Sequence, residues 1–124
     1  DLVVLVYRLS KAFPDAERFG LTSQLRRAAV SVPSKIAEGY GRGPTGDYLR
    51  FLRAARGSLF EVDTQTMLAA RLEFVPDDAF AAIQDRIQEC GRILAALIRS
   101  LEDKDTSVGR TGSGPNARCP MPNA

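Results

Sequence analysis

The chain has 124 residues, 17 basic and 15 acidic side chains, and a net charge of +2. A chain of this length forms one domain that buries roughly two-thirds of its unfolded surface. Histidine is absent, which removes the commonest metal ligand and the commonest general base. The chain has two cysteines and no apolar run of the roughly 20 residues that a membrane-spanning helix needs. We therefore expect a cytoplasmic protein with no enzymatic activity, metal, cofactor or membrane partner.

The first predicted element is a helix that ends near Phe13. Its β-branched residues also suit a strand, but the continuation of the helical period to Phe13 favours a helix. Because residue 1 is not methionine, we expect that Asp1 is not the true start of the protein. The apolar face comprises Leu2, Leu5, Val6, Leu9 and Phe13.

The second predicted helix begins near Thr22, a suitable N-cap, and contains Pro33. Proline lacks the backbone N–H and clashes with the carbonyl of Ala29, so we expect a kink, or two short helices that meet at residues 31–34. The glycine-rich residues 39–46 predict a helix stop and a tight turn. They are not a phosphate-binding P-loop, because they follow a helix and lack the Gly-Lys-Ser/Thr ending.

Two longer helices are predicted in the rest of the chain. The third covers residues 45–73 and the fourth opens at Pro76 and Asp77. Short connections favour an antiparallel up-down-up-down four-helix bundle over residues 1–102. Residues 103–124, rich in Gly, Pro and Ser, are predicted to be a disordered tail. The third helix has the core stripe Tyr48, Leu52, Ala55, Leu59, Val62, Thr66 and Ala69, and the fourth has the seam Phe80, Ile83, Ile87, Cys90, Leu94, Leu97 and Leu101.

Three sequence blocks occur in a distinctive order: GLTSQLRRA, IAEGYGR and ARGSL. With this order and spacing, residues 1–101 resemble the 23S rRNA intervening-sequence protein family, whose relatives include the accessory protein of diversity-generating retroelements. The resemblance implies a four-helix bundle that assembles into a ring-shaped homopentamer.

A second apolar line runs along the third helix, about 100° away from its core stripe. Such a line is either part of a wide core face or a contact with another chain. The assembly that the resemblance implies favours the second interpretation. The predicted oligomer interface is Leu49, Phe60 and Met67.

Positive charge is concentrated in the middle of the chain. Residues 21–60 carry seven basic and two acidic side chains, whereas residues 61–102 carry four basic and eight acidic ones. The basic segment predicts a phosphate-binding surface for RNA or DNA. Because only Tyr40 and Tyr48 lie near this segment, base stacking is not predicted and sequence specificity should be weak. The predicted nucleic-acid-binding residues are Arg26, Arg27, Lys35, Arg42, Arg50, Arg53 and Arg56.

Two alternatives for the basic residues stay open at this point. Individual arginines can pair with Glu38, Glu61 or Asp63, and exposed pairs of this kind contribute only about 0–1 kcal/mol. The basic patch can also belong to a homo-oligomeric interaction scaffold, where it contacts the neighbouring subunit or an acidic protein partner.

Overall fold

Four α-helices make up most of the described chain. The computed structural model describes residues 1–110, with side chains described for residues 1–105. The helices are α1 Leu2–Ser10, α2 Leu21–Arg42, α3 Thr45–Arg71 and α4 Asp77–Arg110, and a 3₁₀ turn, Asp15–Glu17, precedes α2. This part of the chain contains no strand, which confirms the predicted all-α class. It also contains no helix long and apolar enough to cross a membrane.

The helices pack as a four-helix bundle. The most extensive interface is between α2 and α3; α3 also packs on α4, and α1 contacts both α2 and α4. Between α3 and α4, Gln84 donates a hydrogen bond to Asp63 (3.0 Å), and Arg53 pairs with Glu102. The antiparallel up-down-up-down topology, expected from the short connections, stays a prediction.

The core contains the predicted faces of the helices, with one shift on α4. All seven residues of the predicted α3 stripe are buried. On α4, Ile98 is buried and Leu97 is only half-buried, the reverse of the predicted seam. A straight helix has 3.6 residues per turn and drifts away from a strict seven-residue repeat, so the buried position moves to the neighbouring residue. Phe80 and Cys90 are likewise half-buried and pack against the core.

The start of α2 differs from the prediction. Gly20 is the N-cap, and the backbone N–H of Leu21 donates to the Glu17 carboxylate (3.1 Å). Thr22 therefore lies inside the first turn, where it is buried. The helix continues through Pro33 to Arg42, so the alternative of two short helices is wrong. A kink at Pro33 stays a prediction.

The glycine-rich segment stops α2 later than predicted. Gly39 and Gly41 lie within the helix, and only Gly43, with φ 94°, adopts the conformation that ends it. Gly39 is buried, and a Cβ atom at this position would lie 2.5 Å from the Cβ atom of Phe51 on α3. This glycine therefore lets the backbones of α2 and α3 approach each other closely.

The last helix extends beyond the boundary predicted at residue 102. Helix α4 continues to Arg110, because no glycine or proline interrupts the chain between Leu101 and Val108. Residues 103–110 are therefore helical, which corrects the predicted start of a disordered tail. The remainder of that predicted tail, residues 111–124, lies outside the described residues.

Helix α3 ends in a Schellman motif around Glu73. The Glu73 N–H donates to the carbonyl of Ala70 (3.0 Å), and the Phe74 N–H donates to the carbonyl of Ala69 (2.9 Å). Glu73 has φ 64°, a left-handed conformation that glycine usually occupies at this position.

Replacing Glu73 by glycine is expected to raise the free energy of unfolding by about 0.5–1 kcal/mol, because glycine adopts positive φ without the steric cost of a Cβ atom. Urea unfolding followed by circular dichroism measures the change. The control is Glu73→Ala, which removes the carboxylate but keeps the Cβ atom. A Glu73→Gly variant no more stable than Glu73→Ala would contradict the strain argument.

Candidate nucleic-acid interface

The seven predicted basic residues do not form one cluster in the described chain. Arg26 and Arg27 lie near the start of α2, whereas Arg42 is its last residue. Arg26 and Arg42 are about 24 Å apart along the helix axis, at about 1.5 Å per residue. Lys35 and Arg56 are half-buried and lie between the ends of their helices. Apart from Arg56, the predicted arginines therefore fall into two groups at opposite ends of α2.

The group near the connection between α2 and α3 consists of arginines with carboxylate partners. The pairs are Arg42–Glu38 at 3.8 Å, Arg50–Asp47 at 3.5 Å, and Arg53–Glu102. Side chains in these pairs are about half exposed, so each pair contributes only about 0–1 kcal/mol. Each carboxylate nevertheless cancels the charge of its arginine, which leaves this group with little net positive charge.

The aromatic side chains near this paired group are not free platforms for stacking. Tyr48 is 2% exposed, and its ring packs edge-on against that of Tyr40, with centroids 5.9 Å apart. The guanidinium groups of Arg42 and Arg50 each lie 5.1 Å from the centroid of the Phe51 ring. At this end of α2, the absence of base stacking stays a prediction.

The other group surrounds a cleft of about 390 Å³ at the start of α2. We call this cleft the arginine cleft and define it by five of the residues that line it: Tyr7, Arg18, Phe19, Arg26 and Arg27. Among the described residues, no carboxylate lies within salt-bridge distance of these three arginines. The arginine cleft therefore brings together three arginines that have no ion-pair partner among the described residues.

Arg26 is held in position by α1. Its Nε donates a 2.7 Å hydrogen bond to Oγ of Ser10, and its guanidinium lies 4.8 Å from the centroid of the Tyr7 ring. A cation above an aromatic face is attracted by the ring quadrupole. These contacts use one N–H group and orient the guanidinium, whose terminal nitrogen atoms remain donors for a ligand.

The acid nearest to the arginine cleft along the chain has another role. Glu17 accepts the hydrogen bond from Leu21 N–H described above, so its carboxylate lies at the N-terminus of α2. Negative charge there is stabilised by the helix dipole. Glu17 therefore reduces the local charge without pairing with Arg18, Arg26 or Arg27.

Residues that precede α2 are the part of the candidate interface that the sequence analysis did not name. Residues 1–20 carry equal numbers of basic and acidic side chains, so their charge balance conceals Arg18. Phe19 is 88% exposed, and the Arg18 guanidinium lies 5.4 Å from its ring. The sequence contains one signal for this part of the candidate interface. Phe19 directly follows Arg18 and lies outside the apolar period of both neighbouring helices.

The predicted oligomer interface is only partly on the surface of the chain. Leu49 is 3% exposed and belongs to the core, because α3 packs against both α2 and α4 and its core face widens near its start. Phe60 and Met67 are 60% and 45% exposed. Leu49 is therefore not accessible to another chain, whereas Phe60 and Met67 are.

Comparisons with known proteins agree with this fold. Residues 1–96 match the family model described as 23S rRNA-intervening sequence protein. A crystal structure of a protein with unknown function from the S23 ribosomal protein family of Bacteroides thetaiotaomicron VPI-5482 is similar, with a TM-score of 0.72 and 20% identity. The similarity covers 78% of this chain and 91% of that one, and no curated protein matches. Because the family model matches most of the described bundle, the chain belongs to the 23S rRNA-intervening sequence protein family.

Proposed function

We propose that the protein is a non-enzymatic, homo-oligomeric protein of the cytoplasm that binds RNA or DNA, and that the arginine cleft is its main phosphate-binding site. The observation that carries the proposal is the set of three arginines without carboxylate partners among the described residues. The family description refers to 23S rRNA, which fits a nucleic-acid ligand.

The electrostatics of the cleft favour a polyanion. Arg18 and Arg27 are exposed, and Arg26 is oriented by Ser10 and Tyr7. Each phosphate that a guanidinium neutralises releases condensed counterions, so binding gains free energy at low salt. Arginine also presents a planar set of donors that matches the geometry of phosphate oxygens.

Assembly of identical chains would strengthen such binding. A ring repeats the arginine cleft once in every subunit, and several weak contacts on one nucleic acid give a high combined affinity. The pentamer implied by the sequence resemblance is part of this proposal, with Phe60 and Met67 as subunit contacts.

The test compares the two groups of arginines. An Arg18→Ala, Arg27→Ala double variant should bind a short RNA hairpin more weakly than the wild type. The slope of log affinity against log salt should decrease by about 0.7–0.9 for each phosphate that the variant no longer neutralises. Both side chains are exposed, so stability should be unchanged. Fluorescence anisotropy over a series of salt concentrations measures the affinity and the slope.

The matched control is Arg50→Ala, Arg53→Ala, which removes the same charge from the paired group. It should change the affinity and the slope less, because each of these arginines already has a carboxylate partner. Equal effects of the two double variants would contradict the assignment to the arginine cleft. A wild-type protein that binds no nucleic acid at low salt would contradict the proposed function and favour the scaffold alternative, in which the basic residues contact a protein.

A further inference from the structure

One aromatic side chain of the arginine cleft, that of Phe19, is unusually exposed to solvent. Phe19 is 88% exposed, whereas the next most exposed large apolar side chains among residues 1–105, Phe60 and Ile93, are each 60% exposed. An isolated exposed apolar residue needs no explanation. Phe19, however, shares a cleft with three arginines and with Tyr7, which is 41% exposed.

We infer that the arginine cleft binds unpaired nucleotides, with Phe19 as a stacking platform for a base and Arg18, Arg26 and Arg27 as contacts to the flanking phosphates. This inference rests on the proposed nucleic-acid binding and specifies its ligand. It differs from the expectation of binding through the backbone alone, because it uses aromatic side chains from residues before the basic segment.

The two aromatic rings have different roles in this arrangement. One face of Tyr7 lies under the guanidinium of Arg26 at 4.8 Å, so Tyr7 orients an arginine. Phe19 has the Arg18 guanidinium at 5.4 Å, and most of its surface is in contact with solvent. A base that stacks on Phe19 therefore removes apolar surface from water and places its own phosphate beside positive charge.

The ligand must be unpaired because of the geometry of nucleic-acid helices. In a duplex the base faces are stacked on one another, and only phosphates, sugars and base edges are accessible. A loop or a single strand exposes base faces that aromatic side chains can contact. A surface that binds phosphate alone would instead favour the duplex, whose charge density is higher. A preference for single-stranded nucleic acid therefore indicates base stacking, whereas a preference for the duplex indicates binding of phosphate alone.

The experiment measures the binding of three probes to the wild type and to Phe19→Ala. The probes are a short single-stranded RNA, the same strand annealed to its complement, and a strand of the same length with abasic nucleotides at its centre. Phe19→Ala should lower the affinity for the single strand about 5- to 150-fold, the range typical of removing one base–aromatic stack. It should leave the affinities for the duplex and the abasic strand unchanged. The salt slope should also stay the same, because no charge is removed.

The control variant is Phe19→Trp, which keeps a stacking surface and should retain the affinity for the single strand. Light scattering on Phe19→Ala tests whether this ring serves subunit contacts instead, and a change in mass would contradict the inference. An unchanged affinity for the single strand, or an equal loss on all three probes, would also overturn it. In both cases the phosphate binding tested with Arg18 and Arg27 would still stand. Absence of wild-type binding to every probe would overturn the proposed function and this inference together.

Discussion

Replacing Gly39 by alanine is expected to lower the free energy of unfolding by about 1–3 kcal/mol, the usual cost of overpacking a core. A Cβ atom at this position would lie 2.5 Å from the Cβ atom of Phe51. A Cβ atom moves only with its backbone, so the clash requires α2 and α3 to separate along their interface. In a domain of this size the melting temperature should decrease by roughly 4 °C per kcal/mol. Thermal unfolding followed by circular dichroism measures this decrease in melting temperature.

The matched control is Gly41→Ala in the same helix. Beyond its chain neighbours and the backbone of its own helix, a Cβ atom at Gly41 meets nothing within 4 Å, and alanine is the better helix former by about 0.5–1 kcal/mol. The two substitutions are chemically identical, but Gly39→Ala should lower the free energy of unfolding and Gly41→Ala should raise it. A Gly39→Ala variant as stable as Gly41→Ala would show that the helices do not require close contact at this point.

A carboxylate at position 60 is expected to convert the proposed homo-oligomer into monomers. Phe60 is 60% exposed in the single chain, so Phe60→Glu should leave the helix content and the melting temperature of the monomer nearly unchanged. In a subunit interface the same carboxylate would be buried without a partner, which costs several kcal/mol. Self-association should weaken at least about 100-fold. Light scattering measures the change in mass.

The control for this change is Val4→Glu on α1. Val4 is 44% exposed, and α1 does not contact α3 in the described chain, so this carboxylate should not affect assembly through Phe60. The prediction fails for a wild-type protein that is monomeric at micromolar concentration, or for a Phe60→Glu variant that keeps the mass of the wild type.

Leu49 and Phe60 illustrate how far a sequence pattern specifies a surface. Both residues lie on the same line of α3, and sequence periodicity gives them the same role. The structure buries Leu49 and leaves Phe60 exposed, because burial depends on how far the neighbouring helices extend along α3. Periodicity describes one helix at a time, so it cannot give the position at which a neighbouring helix covers it.

The helix ends also show which features a sequence pattern predicts and which depend on tertiary packing. Pro76, Asp77 and Asp78 predict the start of α4 correctly, since proline and acidic residues favour the first turn of a helix. The glycines at 39–46 predict a stop that the structure places only at Gly43. Gly39 serves close packing within a helix, and glycine composition by itself does not separate that role from a helix stop.

The sequence by itself determined the helical class, the α3 core stripe and the membership of a family. These depend on local periodicity and on motif order, which are properties of one linear segment. Only the tertiary structure decided which arginines carry unpaired charge. Arg53 and Glu102 are 49 residues apart in sequence but form an ion pair, whereas Tyr7, Phe19 and Arg27 from three separate segments line one cleft. Charge pairing and cleft formation depend on distances between elements, and those distances exist only after the helices pack.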